Sequence, residues 1–214
     1  MGMIKELSEF DARDCDAVFT FITKKYFGIF SAMQIKNEFI KLLKRIERKH
    51  PKYVLEVGTA NGGALFCFAK LASDDAVVIS IDLPEGKFGG GYEKWRAPFF
   101  GAFRRNGQKI FLLREDSHAP ATLERVKEIL GGRQLDFLFI DGDHTYSGVK
   151  QDFDMYRPLV KKGGVVAFHD IVDGFEEYVG GVPRFWRELK VGCDYEEFVQ
   201  DWEQGGYGIG ILSV

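Results

Sequence analysis

The chain has 214 residues, 45% of them hydrophobic and 29% charged. These are the proportions of an ordinary globular domain and exclude a disordered, collagen-like or fibrous chain. Lys and Arg number 29 against 32 Asp and Glu, a formal charge of -3, so the basic excess that phosphate neutralisation requires is missing and no nucleic-acid partner is expected.

At this length one compact core is expected. The first 50 residues read as helical and form an N-terminal helical cap, with one domain over 51–214. Val18, Phe21, Ile22 and Tyr26 make an apolar stripe for a helix over 14–26. Ile35, Phe39, Leu42, Leu43 and Ile46 make a second, and Ser31 with Gln34 three residues on has the form of a capping box that starts it. The basic stretch 41–52 reads as the solvated face of that helix. From Tyr53 the pattern changes to short apolar runs at 53–57, 77–81, 110–113, 137–140 and 165–168. Helical stripes lie between them, through Leu123, Val126, Ile129 and Leu130, and through Tyr146, Val149, Phe153, Tyr156 and Val160. Strands apolar on both faces, alternating with helices, predict an α/β fold with a parallel sheet covered on both sides. A helix near 185–189 follows, then runs at 195–199 and 208–212 around a Gly-Gly turn, predicting an antiparallel pair at the sheet edge.

The longest apolar run, 64–69, is far short of a membrane span, and no apolar secretory segment or lipidation pattern opens the chain, so a soluble, cytoplasmic protein without a membrane partner is expected. Cys15, Cys67 and Cys193 are scattered and read as free, mostly buried thiols.

Open α/β sheets bind ligands beyond the carboxyl ends of their strands. Those ends carry Glu56-Val57-Gly58-Thr59-Ala60-Asn61-Gly62-Gly63, then Asp82, then Asp116-Ser117-His118, then Asp141-Gly142-Asp143-His144, then His169-Asp170. Three of the four histidines fall there. The glycine loop differs from the G-x-G-x-x-G fingerprint of dinucleotide binders. Glycines admit close backbone approach, and N–H groups at a helix start favour a carboxylate. Asp82 is placed to accept from a ribose diol and Asp116 from an exocyclic amine, with the Ser117 N–H donating to an adenine nitrogen. Carboxylate, diol and aminopurine together describe S-adenosyl-L-methionine, with Glu56, Gly58, Thr59, Asn61, Gly62, Gly63, Asp82, Asp116, Ser117 and Asp141 as its candidate residues.

The run 53–170 resembles a class I S-adenosylmethionine-dependent methyltransferase. Its segment FLFIDGDHTYSGVKQDFDMYRPLVKKGGVVAFHD is similar to small-molecule O-methyltransferases related to macrolide, sugar and cephalosporin-pathway enzymes, and the tail GGVPRFWREL fits the same family. The resemblance implies a seven-stranded, mostly parallel sheet of order 3-2-1-4-5-7-6 and a hydroxyl on a small molecule as acceptor. It implies a divalent cation, magnesium or manganese, on Asp141 and the 169–170 pair, with His144, three residues past the first ligand, as base. His169 departs from the family's oxygen ligands, and imidazole suits manganese, iron, zinc or nickel better than magnesium; three readings stay open for it, a ligand to such a metal that joins Asp141 and Asp170 in the candidate set, a group behind the ligands, or a substrate contact. Asp143 reads as a turn residue and His118 as a loop residue.

Gly86, Gly89, Gly90 and Gly91 among the aromatics of 84–103 suggest either a lid over an acceptor or a loop followed by an ordinary amphipathic helix. The N-terminal helices would cover the acceptor or form a homo-oligomer interface. Three other readings stay open on the residues alone: the same fold working without metal, a nicotinamide oxidoreductase disfavoured by the glycine spacing, and a non-catalytic S-adenosylmethionine-binding module.

Overall fold

The computed structural model describes residues 2–86, 88 and 90–214. Its helices are α1 (Met3–Glu9), α2 (Cys15–Lys24), α3 (Lys36–Glu47), α4 (Gly63–Leu71), α5 (Ala97–Gly101), α6 (Pro120–Leu130), α7 (Tyr146–Tyr156), α8 (Glu176–Val179) and α9 (Val182–Leu189). Its strands are β1 (Tyr53–Val57), β2 (Val77–Ile81), β3 (Lys109–Leu113), β4 (Leu135–Ile140), β5 (Val160–His169), β6 (Tyr195–Phe198) and β7 (Ile209–Ser213). They form one sheet in the order β3-β2-β1-β4-β5-β7-β6. The first five are mutually parallel, and β7 runs antiparallel to both its neighbours, as the resemblance implied.

The double apolar character of the strands has a direct cause in packing. Val54, Val78, Phe137, Phe139, Val165 and Ala167 face one side and join α1 to α5 in a phenylalanine-rich cluster. Leu55, Ile79, Leu138, Ile140, Val166 and Phe168 face the other and meet α6, α7 and α9. Side chains alternate across the pleat, so both faces must be apolar when both are covered. Among the described residues no helix is long and apolar enough to cross a membrane.

Two expectations about the N-terminal helices need correction. The second helix stops at Lys24, because Tyr26 and Phe27 take left-handed φ values of 56°, which no α-helix continues through. The turn lets the Tyr26 hydroxyl donate to Glu6 Oε2 at 2.6 Å and brings Phe30 fully into the core. Ser31 and Gln34 form no capping box: α3 starts at Lys36, with Ile35 in the cap position and no side-chain cap bond. Gln34 is used elsewhere.

The reversal of strand order falls between β1 and β4, the two strands whose crossovers leave in opposite directions. Their ends touch: Asp141 N–H donates to Val57 O at 2.8 Å, and a Cβ on Gly58 would stand 2.0 Å from Asp141 O. Only glycine permits that approach.

Candidate active site

The loop after β1 is folded around Asp82. Asp82 is buried, and its two carboxylate oxygens accept from Ala60 N at 3.0 Å and Gly91 N at 2.8 Å. Burial raises its carboxyl above the ordinary value, opposed by these N–H groups. Glu56 pairs in register with Ser80 of β2 and accepts from its hydroxyl. Thr59 Oγ1 joins the same buried chain at Ser80 Oγ. Burial pushes Glu56 well above the ordinary carboxyl range, helped by the charges of Asp141 and Asp82. Gly62 takes a φ of 80° at the head of α4, and Gly63 and Asn61 lie beside it.

Gly58 and Asp82 open onto a cavity of about 400 Å³ whose lining also includes Asp116, Ser117, His118 and Asp141. The 116–118 loop is held from behind by α7. Tyr156 Oη donates to Ser117 O at 2.6 Å, and His118 Nε2 lies 3.3 Å from the fully buried Asp152. Asp116 Oδ1 accepts from His118 N at 2.8 Å, which shapes the turn. Asp152 first, then Asp116 and Asp143, raise the His118 imidazole to about 8 against its partial burial. Asp143 is a turn residue as expected from its sequence: Oδ1 accepts from Thr145 N at 2.8 Å, while the Thr145 hydroxyl caps α7 at Gly148 N.

A second cavity, of about 530 Å³, lies beside the first and shares Ala60, Phe88 and Asp141 with it. Met33, Phe175, Tyr178 and Tyr207 give it apolar walls, and Asp141, His144, His169 and Asp170 lie in its lining. His144 Nε2 is 3.5 Å from Asp141 Oδ1, and its Nδ1 is 3.5 Å from Asp170 Oδ2 and 2.5 Å from Tyr178 O. His169 Nδ1 is 3.2 Å from the same two carboxylate oxygens. Burial disfavours the charge on Asp141, but His169 and His144 overrule it and hold the carboxyl well below its usual range. Burial likewise works against both imidazolium ions, and the carboxylates raise both, His169 furthest. Asp170 sits at φ 60° with its Oδ1 accepting from Tyr207 N. A non-glycine residue there is strained, and such strain concentrates at functional sites.

Of the strand-end candidates, Gly58, Asp82, Asp116, Ser117 and Asp141 line the first cavity, and His144, His169 and Asp170 join Asp141 in the second; Thr59, Asn61 and Gly63 border a separate small space, and Glu56 and Gly62 line none of the three. Asp141, His144 and Asp170 each offer one donor atom within 4.8 Å of the others, and His169 Nδ1 hydrogen-bonds Asp141 and lies 3.2 Å from Asp170. Two carboxylates with imidazole suit manganese, iron or zinc better than magnesium. The 84–103 segment divides. Gly90 and Gly91 pack at Asp82, and Phe88 stacks on His144 with ring centroids 4.9 Å apart. Tyr92, Phe100 and Phe103 belong to the core. Gly89 lies outside the described residues. Sequence reasoning missed Gln34, Tyr178, Tyr207 and Asp152; none carries a local motif, because each gains its place only from the tertiary fold.

Comparison with known proteins agrees with this architecture. A family model described as a methyltransferase domain matches residues 55–171. The uncharacterized protein y4gI of Sinorhizobium fredii is 27% identical over 142 residues, 65% of this chain and 15% of that protein. The chain spans less than a third of the length of the curated relatives it matches. Among solved structures, the O-methyltransferase TomG of Streptomyces achromogenes, involved in tomaymycin synthesis and bound to S-adenosylmethionine, aligns with a TM-score of 0.59 at 16% identity, covering 96% of this chain and 91% of TomG. An O-methyltransferase of Bacillus cereus bound to S-adenosylhomocysteine gives 0.58 at 16% identity, covering 99% and 95%.

Proposed function

The chain belongs to the methyltransferase-domain family, and on that premise we propose that it transfers the methyl group of S-adenosylmethionine to a hydroxyl of a small-molecule acceptor, with His144 as the base. The observation that carries this reading is the shared wall of the two cavities. One has Asp82, Asp116 and the glycine loop for a nucleoside and its amino-acid tail; the other has apolar sides and a proton acceptor, and Ala60, Phe88 and Asp141 belong to both. A donor in the first and an acceptor in the second would meet there.

Methyl transfer to oxygen requires an oxygen lone pair in line with the carbon–sulfur bond and removal of the hydroxyl proton. The Tyr178 carbonyl at 2.5 Å can only accept, so His144 Nδ1 carries a proton and Nε2 is the free base of the neutral ring. Nε2 faces the second cavity's Asp141, which stabilises the imidazolium once the proton has moved. Phe88 against the ring fixes its plane. His169 holds Asp141 and Asp170 in place. A divalent cation held by the Asp141 and Asp170 carboxylates, with His169 beside them, would lower the pKa of an acceptor hydroxyl and leave His144 Nε2 free as the base.

A metal-independent reaction is the second reading, favoured by one observation: the His169 imidazole already lies 3.2 Å from both carboxylates and can hold them as a cation would, leaving neutral His144 as the base. Calorimetry tests the first step. S-adenosylhomocysteine is expected to bind and NAD is not, with affinity falling about 10- to 100-fold in Asp82→Ala, the loss expected for hydrogen bonds to a charged group; preference for NAD would overturn the proposal. Chelation then separates the two mechanisms, since activity that disappears with EDTA and returns with manganese requires the cation, and full activity after exhaustive chelation excludes it.

A further inference from the structure

Gln34 is 9% exposed and sits in the segment between α2 and α3, outside the residues that the family model matches. Its Nε2 donates to Asp141 Oδ2 at 2.9 Å. The amide is oriented by chemistry, because only the NH₂ end can face a carboxylate. Its Oε1 is consequently turned away from Asp141, and it is buried without a hydrogen-bond partner among the described residues. Buried acceptors are nearly always paired in folded proteins, so an orphan at the edge of a ligand site points to a donor supplied by the ligand.

The surroundings narrow the donor. A small space of about 30 Å³ is bounded by Gln34, Gly58, Thr59, Asn61 and Asp141, and neither lysine nor arginine lines it. That volume suits one small group rather than a ring. The unpartnered Gln34 Oε1 and the Asp141 carboxylate beside the glycine loop describe a place for a cation that donates more than one hydrogen bond. The segment bearing Gln34 is fixed for the purpose: a Cβ on Gly63 would stand 2.1 Å from Ala32 N, so residues 31 and 32 lie flat against the first turn of α4.

We infer that Gln34 is a cofactor-binding residue, whose Oε1 accepts from the α-ammonium group of the methyl donor's amino-acid end while its Nε2 holds Asp141 at the wall between the two cavities. The inference rests on the cofactor reading above. It gives the N-terminal helices a part in the site: they deliver the side chain that recognises the amino group and orients the carboxylate shared by both cavities.

The test is calorimetry on the full chain with two probes, S-adenosylhomocysteine and its analogue lacking the α-amino group. The wild-type protein is expected to prefer the first. In Gln34→Met, which keeps the length and removes the amide, affinity for S-adenosylhomocysteine is expected to fall about 10- to 100-fold, the range for a hydrogen bond to a charged group, while the analogue loses little, so the preference collapses. Gln34→Asn, which withdraws the amide by one methylene, is expected to show the same selective loss and serves if the methionine variant folds poorly. Equal losses for both probes, or no loss for either, with wild-type binding intact, would overturn this inference alone. Absence of wild-type binding to S-adenosylhomocysteine would overturn the cofactor reading together with it.

Discussion

The face of the sheet beneath α2 to α5 and the rim at the strand ends are built from opposite materials. On the face, Phe39, Phe68, Phe137 and Phe139, and Phe66 with Phe103, are at most 1% exposed and pack ring against ring at centroid distances of 5.1–6.5 Å. Each ring contributes through area removed from water, and no single contact has special geometry. At the rim, half-buried Asp141 and buried Asp170 lie within 3.2–3.5 Å of two buried imidazoles. Asp170 is strained there, and Gln34 Oε1, Glu56 Oε1 and His169 Nε2 have no partner among the described residues. A region selected only for stability would not keep buried polar atoms in that condition. The face holds the sheet and the rim spends some of that stability on chemistry.

The comparison can be broken most sharply at His144. His144→Ala is expected to lower kcat by about 10²–10⁴-fold, the usual contribution of a positioned base, with cofactor affinity and melting temperature nearly unchanged. A variant that keeps the parental kcat and pH profile would make His144 structural. Phe68→Ala should do the reverse, costing about 3–5 kcal/mol of stability while the folded fraction retains its kcat; a denaturant titration alongside kinetics checks both. The smallest expected effect lies at His118, on the rim after β3. Its imidazole is raised from 6.5 to about 8 in the folded protein, chiefly by Asp152. The stabilisation is thus fully present below about pH 6.5 and is lost as pH rises through about 8. Its partial exposure limits the amount to about 1 kcal/mol or less. The melting-temperature gap between wild type and His118→Asn is expected to be greatest near pH 6 and to close by pH 9; a gap that persists at pH 9 would remove the charged pair from the account.

Most of the sheet was legible because strands buried on both faces are written as continuous apolar runs. β5 was the exception at its start: Lys161, Lys162 and Gly163 precede Val165, yet the chain already pairs with β4 from Val160. Strand ends located Asp82, Asp141, His144, His169 and Asp170 because topology alone sends those positions to one edge. Gln34 was misread for a physical reason. A Ser with Gln three residues on satisfies a local rule, whereas the partner that claims Gln34 lies 107 residues away in sequence. The left-handed turn at Tyr26 and Phe27 is likewise a tertiary decision, taken where the apolar stripe alone would have continued the helix.

Phe88 lines both cavities and lies flat on the His144 ring, and Asp141 is common to the same two spaces. A wall with two sides makes occupancy a matter of thermodynamic linkage. Whatever factor a molecule in the larger cavity imposes on affinity in the smaller, the molecule in the smaller must return to the larger. Affinities measured for one cavity at a time would therefore describe a different equilibrium from the one in which both are filled.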